Sequence, residues 1–217
     1  MFPLIQTGDP ISAAALRTLN LERTTIPDSW HQLLKHVGLH FPEVVLAGGA
    51  LRDLSRGKPI KDVDLFVNPH EKDTEFMVVN FEAELKSCAL MHDDSYPPKR
   101  CLQDIYRFSW ADYMAEVIVV TDPIITDIPS LVDTFDIGLC QVGMDRRGTI
   151  YASSAFWKDM AQQTLTVVND RTPVSTWRRL NRIGAKYPEY TINADLIGMA
   201  VRDEPKSDFE RMLDDLE

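Results

Sequence analysis

Two aspartates one residue apart, Asp62 and Asp64, lead the segment Asp62-Val63-Asp64-Leu65-Phe66-Val67. Alternate side chains of an extended strand share a face, so these carboxylates project together, about 7 Å apart at their α-carbons. Left bare, such a pair repels and one member takes up a proton. A hard divalent cation removes the conflict. Oxygen donors of this kind suit Mg²⁺ or Mn²⁺, which bind through a few carboxylates and the phosphates of a nucleotide. With two ions, one activates an attacking oxygen while the other stabilises the departing pyrophosphate, and such a site needs a third acid. Glu116 is the candidate, because it opens the apolar run Glu116-Val117-Ile118-Val119-Val120, where a charge is out of keeping with its neighbours.

These acids need elements to hold them. Residues 44–47 form a short apolar run stopped by Gly48-Gly49, and residues 50–55 then read as a helix ended near Gly57. Glycine backbone at a helix start can approach a triphosphate and offer it amide donors. Arg52, one turn into that helix, can meet phosphate or carboxylate. Strand, glycine turn, helix and strand therefore follow one another between Val44 and Val67.

Elsewhere the hydrophobic period predicts helices near 11–19, 29–37, 74–87 and 130–135. Strands are expected at 105–110, 115–120, 139–144 and 149–152. A polar loop is expected over 92–101, where Pro97-Pro98 stands and where His92, Asp93 and Asp94 are read as solvated rather than as ligands. From Ser153 onward the chain reads mostly helical, most clearly over 172–186. The fold class expected is α+β, a mixed or antiparallel sheet flanked by helices with a helical C-terminal part, divided as a head over 1–170 and a helical extension over 171–217.

The run Leu46-Ala47-Gly48-Gly49-Ala50-Leu51-Arg52-Asp53, followed by Lys61-Asp62-Val63-Asp64-Leu65-Phe66-Val67, resembles the head-domain signature of bacterial poly(A) polymerases and class II tRNA CCA-adding enzymes, within the polymerase-β-like nucleotidyltransferases. Ala115-Glu116-Val117-Ile118 is similar to the later strand that carries the family's third acid. Phe135-Asp136-Ile137-Gly138-Leu139 is similar to a segment reading Arg-Arg-Asp-Phe-Thr-Ile-Asn in the family, with Thr134-Phe135 here where the family has two arginines. Arg178-Arg179-Leu180-Asn181-Arg182-Ile183 falls where the family has an arginine-bearing helix. The base-selecting Glu-Asp-x-x-Arg element has no convincing copy, and the family's body and tail would need well over a hundred further residues, so a full CCA-adding enzyme is not expected.

The resemblance implies a nucleotidyltransferase that moves a nucleoside monophosphate from an NTP to an acceptor hydroxyl. Asp62, Asp64 and Glu116 would be catalytic and hold two Mg²⁺ or Mn²⁺ ions, while Gly48, Gly49, Arg52, Arg178 and Arg182 would hold the nucleotide. Asp53 reads more readily as a partner of Arg52, and Asp136 equally as a structural acid beside the site. The acceptor stays open among an RNA 3′ end, a protein and a small molecule. A nucleotide-binding module without turnover and a toxin-like transferase are the other readings.

A formal charge of −10 means that the molecule as a whole repels polyanions. An RNA partner would need a local basic strip, and Arg178 and Arg182, one helical turn apart, could form one. Cys88, Cys101 and Cys140 are widely spaced and show no metal or disulfide pattern, which suits a cytoplasmic protein with buried thiols. No segment has the run of about 20 apolar residues that a membrane helix needs. The oligomeric state is open.

Overall fold

A computed structural model describes residues 4–7, 26–68, 91–92, 102–120, 128–169 and 173–194. The helices expected at 11–19 and 74–87, Cys88, Cys101, Asp93, Asp94 and the acidic segment 208–217 lie outside the described residues. In chain order the strands are β1 (Leu4–Thr7), β2 (Val45–Ala47), β3 (Asp62–Val67), β4 (Met91–His92), β5 (Leu102–Trp110), β6 (Tyr113–Val120), β7 (Val142–Asp145), β8 (Ile150–Ser153), β9 (Thr164–Thr166) and β10 (Thr191–Asn193). The helices are α1 (Asp28–Val37), α2 (Gly49–Ser55), α3 (Ile128–Asp133), α4 (Ser154–Gln162) and α5 (Pro173–Lys186).

Eight strands form one mixed sheet in the order β1-β8-β7-β2-β3-β6-β5-β4. The pairs β1/β8 and β3/β6 are parallel and the other ladders antiparallel. This is the mixed, helix-flanked α+β architecture expected. The principal core lies on one face: Leu46, Val63, Leu65, Ala115, Val117 and Phe108 pack with Trp30, Leu33 and Leu34 of α1, with Ala50 and Leu51 of α2, and with Leu180 and Ile183 of α5. Alternation along each strand sends the remaining side chains to the opposite face. There Val45, Ala47, Ile105, Ile118 and Val120 meet Leu131 and Val132 of α3 in a smaller apolar cluster.

Several expectations need correction. The strand expected over 139–144 begins only at Val142, because Gly138–Cys140 form a 3₁₀ turn whose Leu139 amide donates to Asp159 Oδ2 at 2.9 Å instead of joining the ladder. A Cβ at Gly138 would stand 2.8 Å from that oxygen, so the turn requires glycine there. The region after Ser153 is not wholly helical, because β9 and β10 pair in parallel as a separate two-stranded sheet. Thr164 and Thr166 give their hydroxyls to the fully buried Asp159 at 2.8 and 2.6 Å, which favours extended chain over helix. His92 lies in a strand paired with Tyr106 rather than in a loop, and Leu4–Thr7 form a strand where none was expected.

Candidate active site

Strand β3 has the parity that the sequence demands: Val63, Leu65 and Val67 are buried, and Asp62, Asp64 and Phe66 are partly exposed on the other face. Its neighbour β6 runs parallel, with Asp64 opposite Glu116 and Asp62 opposite Met114. Residues opposite each other in a ladder share a face, with neighbouring strands about 4.8 Å apart. The structure therefore brings Asp62, Asp64 and Glu116 onto one face of two adjacent strands. The next strand, β5, sets Arg107 opposite Glu116, and Arg107 Nε donates to Glu116 Oε1 at 2.7 Å. An acid, an acid and a guanidinium thus cross three strands in one row.

Burial first, then the charges of Glu116 and Asp62, push the Asp64 carboxyl up to about 7, while Arg179 and Arg182 act to lower it. Asp62 is more open and stands 3.6 Å from Lys61 Nζ. Among the described residues, no three acidic, histidine or cysteine side chains gather as a group able to hold a metal ion. The donor set still suits a hard cation at Asp62 and Asp64, where added positive charge would relieve the frustration of Asp64. Glu116 shares their face, but its carboxylate is engaged by Arg107.

The glycine turn is built as the spacing suggests. Gly48 has φ 81° and ψ −126°, a conformation that disfavours any side chain, and Gly49 is the first residue of α2. The Gly48 amide donates to the Val142 carbonyl at 2.8 Å, which leaves that donor inside the fold. Arg52 also turns inward. Its Nε donates to Asp53 Oδ1 at 2.7 Å and its Nη1 to Cys140 Sγ at 3.1 Å, and its guanidinium lies over the Tyr187 ring. Burial pushes the Cys140 thiol up, so the anion that matches Arg52 is Asp53. Direct contact between Arg52 and a phosphate would require breaking this buried pair.

Asp53 also accepts from Tyr187 Oη at 2.6 Å and from Lys186 Nζ. Burial opposes its ionisation, but the hydrogen bond and charge of Arg52, with Lys186 and Tyr187, hold the carboxyl below its usual range. It therefore ties α2 to the end of α5. Asp136 does the same at the other end, accepting from Thr176 Oγ1 at 2.8 Å and from Arg179. Both acids are structural partners of α5, as the sequence allowed.

Of the arginines on α5, Arg179 and Arg182 act on Asp64, and Arg178 is not among the leading influences on it. Arg179, rather than the Arg178 expected from the sequence, therefore stands with Arg182 beside the acids. Its signal was the three-residue spacing to Arg182, which also places two side chains on one helical face. Phe135, standing where the resembled family has an arginine, packs on Phe66 with ring centroids 5.2 Å apart. It also lies beside Gly48, where a Cβ would meet its ring at 3.7 Å. Gln141 fixes this segment by donating from Nε2 to the carbonyls of Asp133 and Phe135.

No family model and no curated protein matches the sequence. Solved structures do. A CCA-adding enzyme in an apo form superposes with a TM-score of 0.59 at 16% identity, over 87% of this chain and 45% of that one. A CCA-adding enzyme in complex with ATP gives 0.59 at 15%, over 87% and 46%. The fold is like the CCA-adding enzyme head. Thermotoga maritima CCA-adding enzyme complexed with tRNA superposes with 0.57 at 16%, over 87% and 45%. This chain thus spans less than half the length of the CCA-adding enzymes it matches. At such identities the likeness is one of head fold, with Asp62, Asp64 and Glu116 brought together on one sheet face.

Proposed function

We propose that this chain is a divalent-cation-dependent nucleotidyltransferase that transfers NMP from an NTP to an acceptor hydroxyl. The observation that carries the reading is the register of β3 and β6, which sets Glu116 opposite Asp64 and on the same face as Asp62. Asp62 and Asp64 would hold Mg²⁺ or Mn²⁺, and the bound ions would neutralise phosphate charge and acidify the acceptor hydroxyl. Glu116 would complete the carboxylate set and take the proton of that hydroxyl. As its oxygen bonds to the α-phosphorus, the bond to the βγ-phosphates breaks and pyrophosphate leaves. Arg182, exposed on α5 and acting on Asp64, would meet the triphosphate, with Arg178 one helical turn before it. Gly49 backbone would lie along the phosphates, and Arg52 would serve by holding α2 in place.

An RNA 3′ end is the acceptor we favour. The support is the head fold shared with CCA-adding enzymes, one of them complexed with tRNA, and the arginines of α5. The test is incubation with each labelled NTP, Mg²⁺ or Mn²⁺ and a pool of total RNA and lysate protein. Label should enter RNA with the wild type and not with Asp62→Ala or Asp64→Ala. Equal labelling by all three proteins would sink the assignment.

A second reading, a nucleotide-binding module without turnover, draws on the engagement of Glu116 by Arg107 and the inward turn of Arg52. Calorimetry separates the two. The module predicts NTP binding with no pyrophosphate release in the presence of any acceptor.

A further inference from the structure

The third acid of the site is not idle. Glu116 is held by Arg107 through a 2.7 Å hydrogen bond across the β5–β6 ladder, with both side chains largely shielded, at 31% and 16% exposure. A guanidinium bound to a carboxylate uses the same lone pairs as a metal cation would and supplies positive charge in its place. Glu116 therefore cannot serve both fully at once. Consistent with that, no three ligating side chains are gathered for a metal among the described residues, although Asp62, Asp64 and Glu116 share one sheet face.

We propose that Arg107 is an internal counter-ion that keeps Glu116 out of the metal-binding set until nucleotide binds. Without nucleotide, Asp62 and Asp64 take a single cation. The NTP polyphosphate, entering over the same face, offers Arg107 a competing anion of higher charge, matched to a guanidinium fork. Once Arg107 moves to the phosphates, Glu116 is released to join a second cation. Order follows from this: cation, then nucleotide, then the complete site. The device would suppress adventitious metal loading and keep the proton acceptor occupied until substrate is present.

This inference rests on the proposed function, and the test separates the two. Mn²⁺ binding to the full chain is followed by paramagnetic resonance, with and without a non-hydrolysable NTP analogue. The wild type should bind one Mn²⁺ alone and two with the analogue. Arg107→Gln should bind two without nucleotide, the second about tenfold tighter than in the wild type, equivalent to about 1.4 kcal/mol. In a Glu116→Gln background, Arg107→Gln should make no difference, because the carboxylate whose release the device requires is no longer there. If Arg107→Gln leaves stoichiometry and affinity unchanged, or tightens Mn²⁺ equally in the Glu116→Gln background, Arg107 is not the gate. If Asp62→Asn and Asp64→Asn also leave wild-type Mn²⁺ binding untouched, the metal site itself is wrong. Thermal melts verify that each variant is folded, and Arg107→Lys, which keeps the charge but not the Nε contact, should fall between the wild type and Arg107→Gln.

Discussion

Asp64 is caught between two demands, burial against an apolar sheet and proximity to two other carboxylates. Its carboxyl, pushed up to about 7, carries a proton through the acidic range in the absence of a cation. A raised folded value means that its stabilising contribution is complete below the unfolded value near 3.8 and is lost as pH rises through 7. The metal-free protein should therefore lose stability over that window, and Asp64→Asn should flatten the loss; urea melts at several pH values check it. A cation must displace the same proton. Mn²⁺ affinity is expected to climb by up to about tenfold per pH unit below 7 and level off above it, with proton release visible as buffer-dependent heat in calorimetry. An affinity flat from pH 5.5 to 8 would count against cation binding at Asp64. That Asp62 and Asp64 share a strand face was legible in the sequence because strand parity is a strict period of two, and Glu116 stood out as a charge opening an apolar run. The engagement of Glu116 was not, since Arg107 becomes its neighbour only through the β5–β6 register.

Helix α5 is held near both ends by two buried acids. Asp136 receives Thr176 and Arg179 early in the helix, and Asp53 receives Lys186 and Tyr187 at and beyond its end. Breaking a buried pair strands the other charge, so Asp53→Ala should destabilise by about 3 kcal/mol, while Lys186→Ala, more exposed, should cost about 1. Denaturant midpoints measure both, and equal small losses would show that Asp53 does not clamp the helix. The sign with pH is opposite to that of Asp64. The Asp53 carboxyl sits below its usual range, so its contribution is present above the unfolded value and is lost as pH falls through the folded one. Periodicity alone found α1 and α5 to within a residue, because their buried stripes are long enough to be seen. It missed β9 and the 3₁₀ turn at Gly138 because both are dictated by Asp159, whose carboxylate collects donors from Leu139, Thr164 and Thr166. Such a knot joins residues distant in sequence and leaves no periodic trace.

The whole molecule carries a formal charge of −10, yet the reaction proposed for it handles polyanions. Any RNA must therefore approach against the mean field and be held locally. The arginines of α5 are the candidates: Arg178 and Arg182 are exposed, and Arg179 is paired with Asp136. Two phosphate contacts to a single strand predict a shallow salt dependence, with log affinity falling against log salt with a slope of about −1.4. Binding should accordingly be weak, in a regime where a longer basic surface would give a much steeper slope. Fluorescence anisotropy with a labelled single-stranded RNA, titrated at increasing salt, measures it. Arg178→Gln with Arg182→Gln should bring the slope close to zero and remove most of the affinity at low salt, with a urea melt to verify that the double variant is folded. Arg182→Gln alone should weaken NTP binding more than Arg178→Gln alone, since of these two arginines it is Arg182 whose charge acts on Asp64. A steep slope that survives the double substitution would move the RNA contact off α5 altogether and assign it to another surface of the chain.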